Sequence, residues 1–96
     1  MSFVAIDCNV PSEWYGQVAG WGFDLICARP GETDYDFCER ALAYRAVGFL
    51  SRDTDIYNVL DFKFKVDIPI AKHPKDLRRL LFPDKRSKLE LQKASQ

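Results

Sequence analysis

Ile56-Tyr57-Asn58-Val59-Leu60-Asp61-Phe62-Lys63-Phe64-Lys65-Val66-Asp67-Ile68-Pro69-Ile70 is the stretch on which the fold expectation turns. From Leu60 onward every even position is apolar (Leu60, Phe62, Phe64, Val66, Ile68, Ile70), with Asp61, Lys63, Lys65, Asp67 and Pro69 between them. Side chains alternate faces along a strand, so this period predicts one long strand with an apolar and a charged face. A helix would spread the same residues around its whole cylinder. A strand of this kind needs a sheet with one solvated side and a helix over the other. Pro69 places its far end at an edge. Lys63 and Lys65 guard such an edge, which is otherwise open to a second copy of the chain.

Outward from this stretch, Phe3–Val10 alternates and reads as a first strand, stopped by Pro11. Pro11–Gly16 reads as a connection with an aromatic tip at Trp14 and Tyr15. Gln17–Arg29 reads as a second strand, with Gly20 and Gly22 marking a bulge or bend. Thr33 is placed to cap a helix that Asp34, Asp36 and Glu39 favour at its positive end. Phe37, Cys38, Ala41, Leu42 and Ala46 give that helix an apolar stripe, and Gly48 offers a stop. Val47–Ser51 reads as a short third strand. His73-Pro74 opens a second helix carrying Leu77, Leu80 and Leu81. The expected fold is α+β: about four strands in a mainly antiparallel sheet, in the order β-β-α-β-β-α, with helices packed on one face. Residues 1–83 form the single globular domain, and 84–96 a polar C-terminal helix or tail.

The 96 residues fit one domain, and 47% apolar with 29% charged residues describes a folded globule rather than a disordered chain. No apolar run approaches the ~20 residues of a membrane span. The N-terminal residues lack the basic region of a secretory signal. Cys8, Cys27 and Cys38 are odd in number and widely spaced, which fits neither a disulfide framework nor a zinc site and suggests a cytoplasmic protein. All three fall on expected apolar faces, as small core residues. Net charge is zero, but residues 1–58 carry nine acids against four bases, and residues 59–96 ten bases against five acids. Such an asymmetry concerns partners more than fold.

Few residues suggest chemistry. His73 is the only histidine, with no serine or cysteine close to it in sequence. No glycine-rich phosphate motif and no calcium-loop spacing occurs. No catalytic residue, cofactor or metal is therefore expected. The expectation is a non-enzymatic protein–protein interaction module that blocks a larger protein or complex by occupying its surface. Short inhibitor proteins of phages and mobile elements, including anti-CRISPR proteins, are the analogy, drawn from size and not from any residue. Surplus aromatics and the basic third supply the candidate partner-binding residues: Trp14, Tyr15, Tyr57, Lys63, Lys65, Lys72, Lys75, Arg78 and Arg79. Glu32, Asp34, Asp36, Asp53 and Asp55 form a candidate acidic contact surface. The alternative is an RNA- or DNA-binding domain using the basic C-terminal third.

Overall fold

The computed structural model describes residues 2–83; the expected C-terminal helix or tail at 84–96 lies outside them. Four strands, β1 (Phe3–Ile6), β2 (Asp24–Cys27), β3 (Gly48–Leu50) and β4 (Ile70–Ala71), form one sheet in the order β2-β1-β3-β4. Every pairing is parallel, with Ile6 beside Cys27 and Leu50, and Leu50 beside Ala71. The antiparallel expectation is therefore overturned. Its cause is two unrecognised helices, α1 (Glu13–Ala19) and α3 (Thr54–Asn58), which join α2 (Asp34–Ala43) and α4 (Pro74–Leu81). With a helix between each pair of consecutive strands, each strand returns in the same direction.

The helices cover both faces of the sheet, not one. Val18 of α1 and Leu77 of α4 pack with Val4, Ile6, Leu50 and Ala71. Phe37, Cys38 and Ala41 of α2 and Ile56 of α3 pack with Ala5, Ile26 and Phe49 on the other side. Strands buried on both faces carry unbroken apolar runs, as Phe3-Val4-Ala5-Ile6 and Gly48-Phe49-Leu50 do. Gly48 belongs to β3; a Cβ there would come within 3.1 Å of Leu77 Cδ1. The stop of α2 lies earlier. Arg45 takes a left-handed conformation (φ 59°), its N–H donates to the Leu42 carbonyl, and the Ala46 N–H donates to that of Ala41. This is the Schellman pattern, with arginine in the usual glycine position.

The stretch Ile56–Ile70 is not a strand. α3 continues into a π-helical segment, Val59–Phe64, which ends where Lys65 turns left-handed (φ 53°). Only after Lys65 does the chain lead into β4. The even-numbered alternation concealed a second period: Ile56, Leu60 and Phe64 are four apart and share a helical face, with Ile56 and Leu60 in the core. Phe62, the residue that made the alternation look continuous, is 69% exposed. Pro69 does precede an edge strand, β4. The expected second strand, Gln17–Arg29, divides into the end of α1, a turn through Gly22 (φ 98°) and β2. Among the described residues, no helix is long and apolar enough to cross a membrane.

Candidate metal centre

A parallel sheet gathers the ends of all its strands at one rim. Asp7 follows β1 directly, and its N–H still donates to the Leu50 carbonyl (2.9 Å), so the backbone ladder fixes it. Its side chain is buried. Oδ1 accepts from the Cys8 N–H (2.7 Å) and Oδ2 from the Ser51 hydroxyl (2.8 Å). Ser51 follows β3 and is fully buried. Its hydroxyl oxygen also accepts from the Asp53 N–H (3.0 Å), so one side chain sets Asp7 and the turn carrying Asp53. Asp53 caps α3, accepting from the Asp55 N–H at 2.9 Å. Asp34 opens α2 after Thr33, whose hydroxyl accepts from the Asp36 N–H.

These three aspartates converge. One carboxylate oxygen from each of Asp7, Asp34 and Asp53 lies within 4.8 Å of the others. Desolvation, followed by the charges of Asp53, Asp7 and Asp55, pushes the Asp34 carboxyl above its ordinary value. Crowded carboxylates of this kind are relieved by a cation. An all-oxygen set suits hard divalent ions such as Mg²⁺ or Mn²⁺. The position in the fold also matters. β2 lies on one side of β1 and β3 on the other, so the strand order reverses between β1 and β3. Crevices at the carboxyl ends of strands where such a reversal occurs are the usual ligand sites of open parallel sheets. Arg29 follows β2, Arg52 follows β3 and Lys72 follows β4, all exposed at the same rim.

The loop that delivers Asp34 is itself clamped. Arg40 donates from Nε and a terminal nitrogen to the two oxygens of Glu32 (2.9 Å each) and to the Cys27 carbonyl (2.6 Å). The Arg29 N–H donates to Glu32 as well (3.0 Å). The Arg40 bond outweighs desolvation and holds the Glu32 carboxyl down at about 2, against an ordinary 4.5. A folded-state value below the unfolded one stabilises the fold above the unfolded value, and that contribution is lost as pH falls through the folded one. Glu32→Gln should cost about 1–2 kcal/mol at pH 7 in urea unfolding. The gap between variant and wild type should narrow below pH ~4.5 and close near pH ~2.

The candidate residues from the sequence separate into groups. Asp34 and Asp53 of the acidic surface meet at the rim. Glu32 belongs to the clamp, and Asp36 and Asp55 are exposed in first helical turns. Trp14 and Tyr15 sit on α1, half-buried against the core rather than at a turn tip. The Tyr15 hydroxyl donates to the Asp7 carbonyl (3.3 Å). His73 caps α4, its Nδ1 accepting from the Lys75 N–H (3.2 Å), with Trp14 edge-on at 5.0 Å. Cys8 and Cys27 are exposed, contrary to expectation, and only Cys38 is buried. Burial pushes the Cys38 thiol up to about 12, and desolvation with the Asp7 charge raises Cys8, so neither favours a thiolate. Lys63 and Lys65 are exposed around the end of the π-helical segment, and Lys75, Arg78 and Arg79 on α4. Leu77 of the Leu77-Arg78-Arg79-Leu80-Leu81 run packs on the protein's own sheet, while Leu80 is exposed.

Asp7 was missed as a candidate. Its signal was an acid closing an apolar strand, matched by Ser51 and Asp53 closing another. That signal has meaning only if the two strands are parallel neighbours. Comparison of the chain with protein-family models, curated proteins and solved structures gives no match.

Proposed function

We propose that the protein is a divalent-cation-dependent phosphodiester hydrolase, with nucleic acid as its substrate class. The observation that carries this is the convergence of Asp7, Asp34 and Asp53 at the point where the strand order reverses. In this reading the three carboxylates hold the ion, and Ser51 orients Asp7 and the Asp53 turn. A divalent ion in such a site polarises a phosphoryl oxygen and supplies an activated water. Arg29 and Arg52 are placed to draw the phosphates of an extended polyanion onto the rim.

The experiment has two readings. Mn²⁺ at saturating concentration should raise the unfolding midpoint, because an ion that binds only the folded state stabilises it by about 2.7 kcal/mol at 100 times its Kd. The same Mn²⁺ should support hydrolysis of bis(4-nitrophenyl) phosphate and of labelled oligonucleotides, and EDTA should stop it. An unfolding midpoint indifferent to Mn²⁺ and Mg²⁺ would refute the proposal. Protons compete with the ion for Asp34, whose carboxyl is raised, so Mn²⁺ affinity should fall on acidification.

A further inference from the structure

The open edge of the sheet carries a second feature, remote in kind from the carboxylates. Among the described residues, β4 pairs with β3 on one side only. Two hollows of about 450 and 220 Å³ lie along its outer side, and both are walled by Tyr57 and Ile70. The Tyr57 hydroxyl donates to the Ile70 carbonyl (3.4 Å), so the ring stands across the strand edge and divides one groove into two lobes. Ala71 and Leu80 line the larger lobe, and Leu60, Val66 and Ile68 the smaller. Leu80 is half-exposed, which a helix facing only its own core would avoid.

The charges at the two ends are opposite. The larger lobe is lined by two bases, Lys72 and Arg79, against one acid, Asp76, and the smaller by Asp61 and Asp67. Lys72 Nζ lies 6.0 Å from the centre of the Tyr57 ring. Asp76 offers Arg79 only a long, exposed contact of 3.9 Å, which in water is weak. Among the described residues, the larger lobe therefore keeps an excess of one positive charge with which to attract an external carboxylate.

We infer that this groove docks an extended segment of a partner protein, with apolar side chains on either side of Tyr57, an acidic residue at Lys72 and Arg79, and a basic residue at Asp61 and Asp67. Tyr57 occupies the outward carbonyl of Ile70, so the segment is gripped by its side chains in the lobes and not by a continuous backbone ladder. A charge dipole along the groove sets which segments fit and rejects those with like charge at either end.

The test uses three fluorescein-labelled heptapeptides with the same Val-Thr-Ile-Thr-Val centre. One has lysine at one end and glutamate at the other, one has lysine at both, and one has glutamate at both. This design does not depend on chain direction. Fluorescence polarisation with the full chain should show the mixed peptide binding at least about tenfold more tightly than either of the others. In Lys72→Glu/Arg79→Glu, both groove ends are acidic, and the doubly basic peptide should become the tightest of the three. EDTA should change none of these affinities, so failure here is distinct from failure of the metal reading. Equal affinity for all three peptides, no binding at millimolar peptide, or a double variant that keeps the wild-type preference would overturn the inference. So would concentration-dependent dimerisation that excludes the peptide, since a second copy would then be the occupant.

Discussion

Asp7→Asn should abolish Mn²⁺-dependent phosphodiester hydrolysis, lowering the rate by at least about 100-fold, while the protein remains folded. Loss of a partner that merely orients a ligand costs metal sites 10- to 100-fold, and Asp7 is placed as a ligand. The fold should tolerate the change. An asparagine amide keeps an oxygen for the Cys8 N–H or the Ser51 hydroxyl, and the backbone bond to Leu50 is untouched. It also removes one of three like charges, which relieves Asp34. In EDTA the variant should therefore unfold at or above the wild-type midpoint, and addition of Mn²⁺ should no longer raise it. A variant with full activity would show that the ion, if bound, is held elsewhere. Ser51→Ala is the graded companion. It leaves all three carboxylates but frees Asp7 and the Asp53 turn, so its loss should fall within 10- to 100-fold.

Phe49→Ala should have the largest effect on stability. Phe49 is the middle residue of β3, fully buried, with its ring 6.0 Å from that of Phe37 in an edge-on arrangement. Truncating a buried phenylalanine costs about 3–5 kcal/mol, against a total stability of about 5–15 kcal/mol for a domain. In a chain of this size that corresponds to a fall of roughly 15–30 °C in the unfolding midpoint. Thermal unfolding followed by far-ultraviolet circular dichroism measures it directly. A fall of less than about 5 °C would mean that the α2–β3 contact does not anchor that layer of the core.

The two effects bear on different parts of the sequence, and the parts were not equally legible. α2 was readable because Thr33, Asp34 and Asp36 mark its start and an apolar stripe follows. β3 was readable as a short apolar run, and β1 from an alternation over Phe3–Val10 that ran past its end at Ile6. α4 was readable from His73-Pro74 and its leucines. What failed was local periodicity where two periods coincide. Leu60, Phe62 and Phe64 fit a strand, yet Leu60 and Phe64 fit a helix equally well, and the deciding fact, the left-handed turn at Lys65, leaves no pattern in a lysine. Around α1, Pro11–Gly16 read as a connection and Gly20 as a bulge in a strand, although Trp14 and Val18 stand four apart on one side of a helix. Missing those two helices reversed the sheet. The site then could not be seen, because Asp7, Asp34 and Asp53 are brought together only by parallel strands that bear their connections at one rim. In sequence the first two stand 27 positions apart and the second and third 19, and no metal-binding spacing resembles that.

β1 is an interior strand whose two neighbours come from later in the chain. It gains its outer partner at Asp24–Cys27 and its inner partner only at Gly48–Leu50. Pairings this distant form slowly, since loop closure precedes any reward. During synthesis the first half of the chain would hold an apolar strand with one edge open. Ser51 and Asp53 arrive directly behind Leu50, so the step that closes that edge also completes the carboxylate cluster. Closure of the inner edge of β1 and assembly of the carboxylate cluster are then a single event, possible before β4 and α4 have been made.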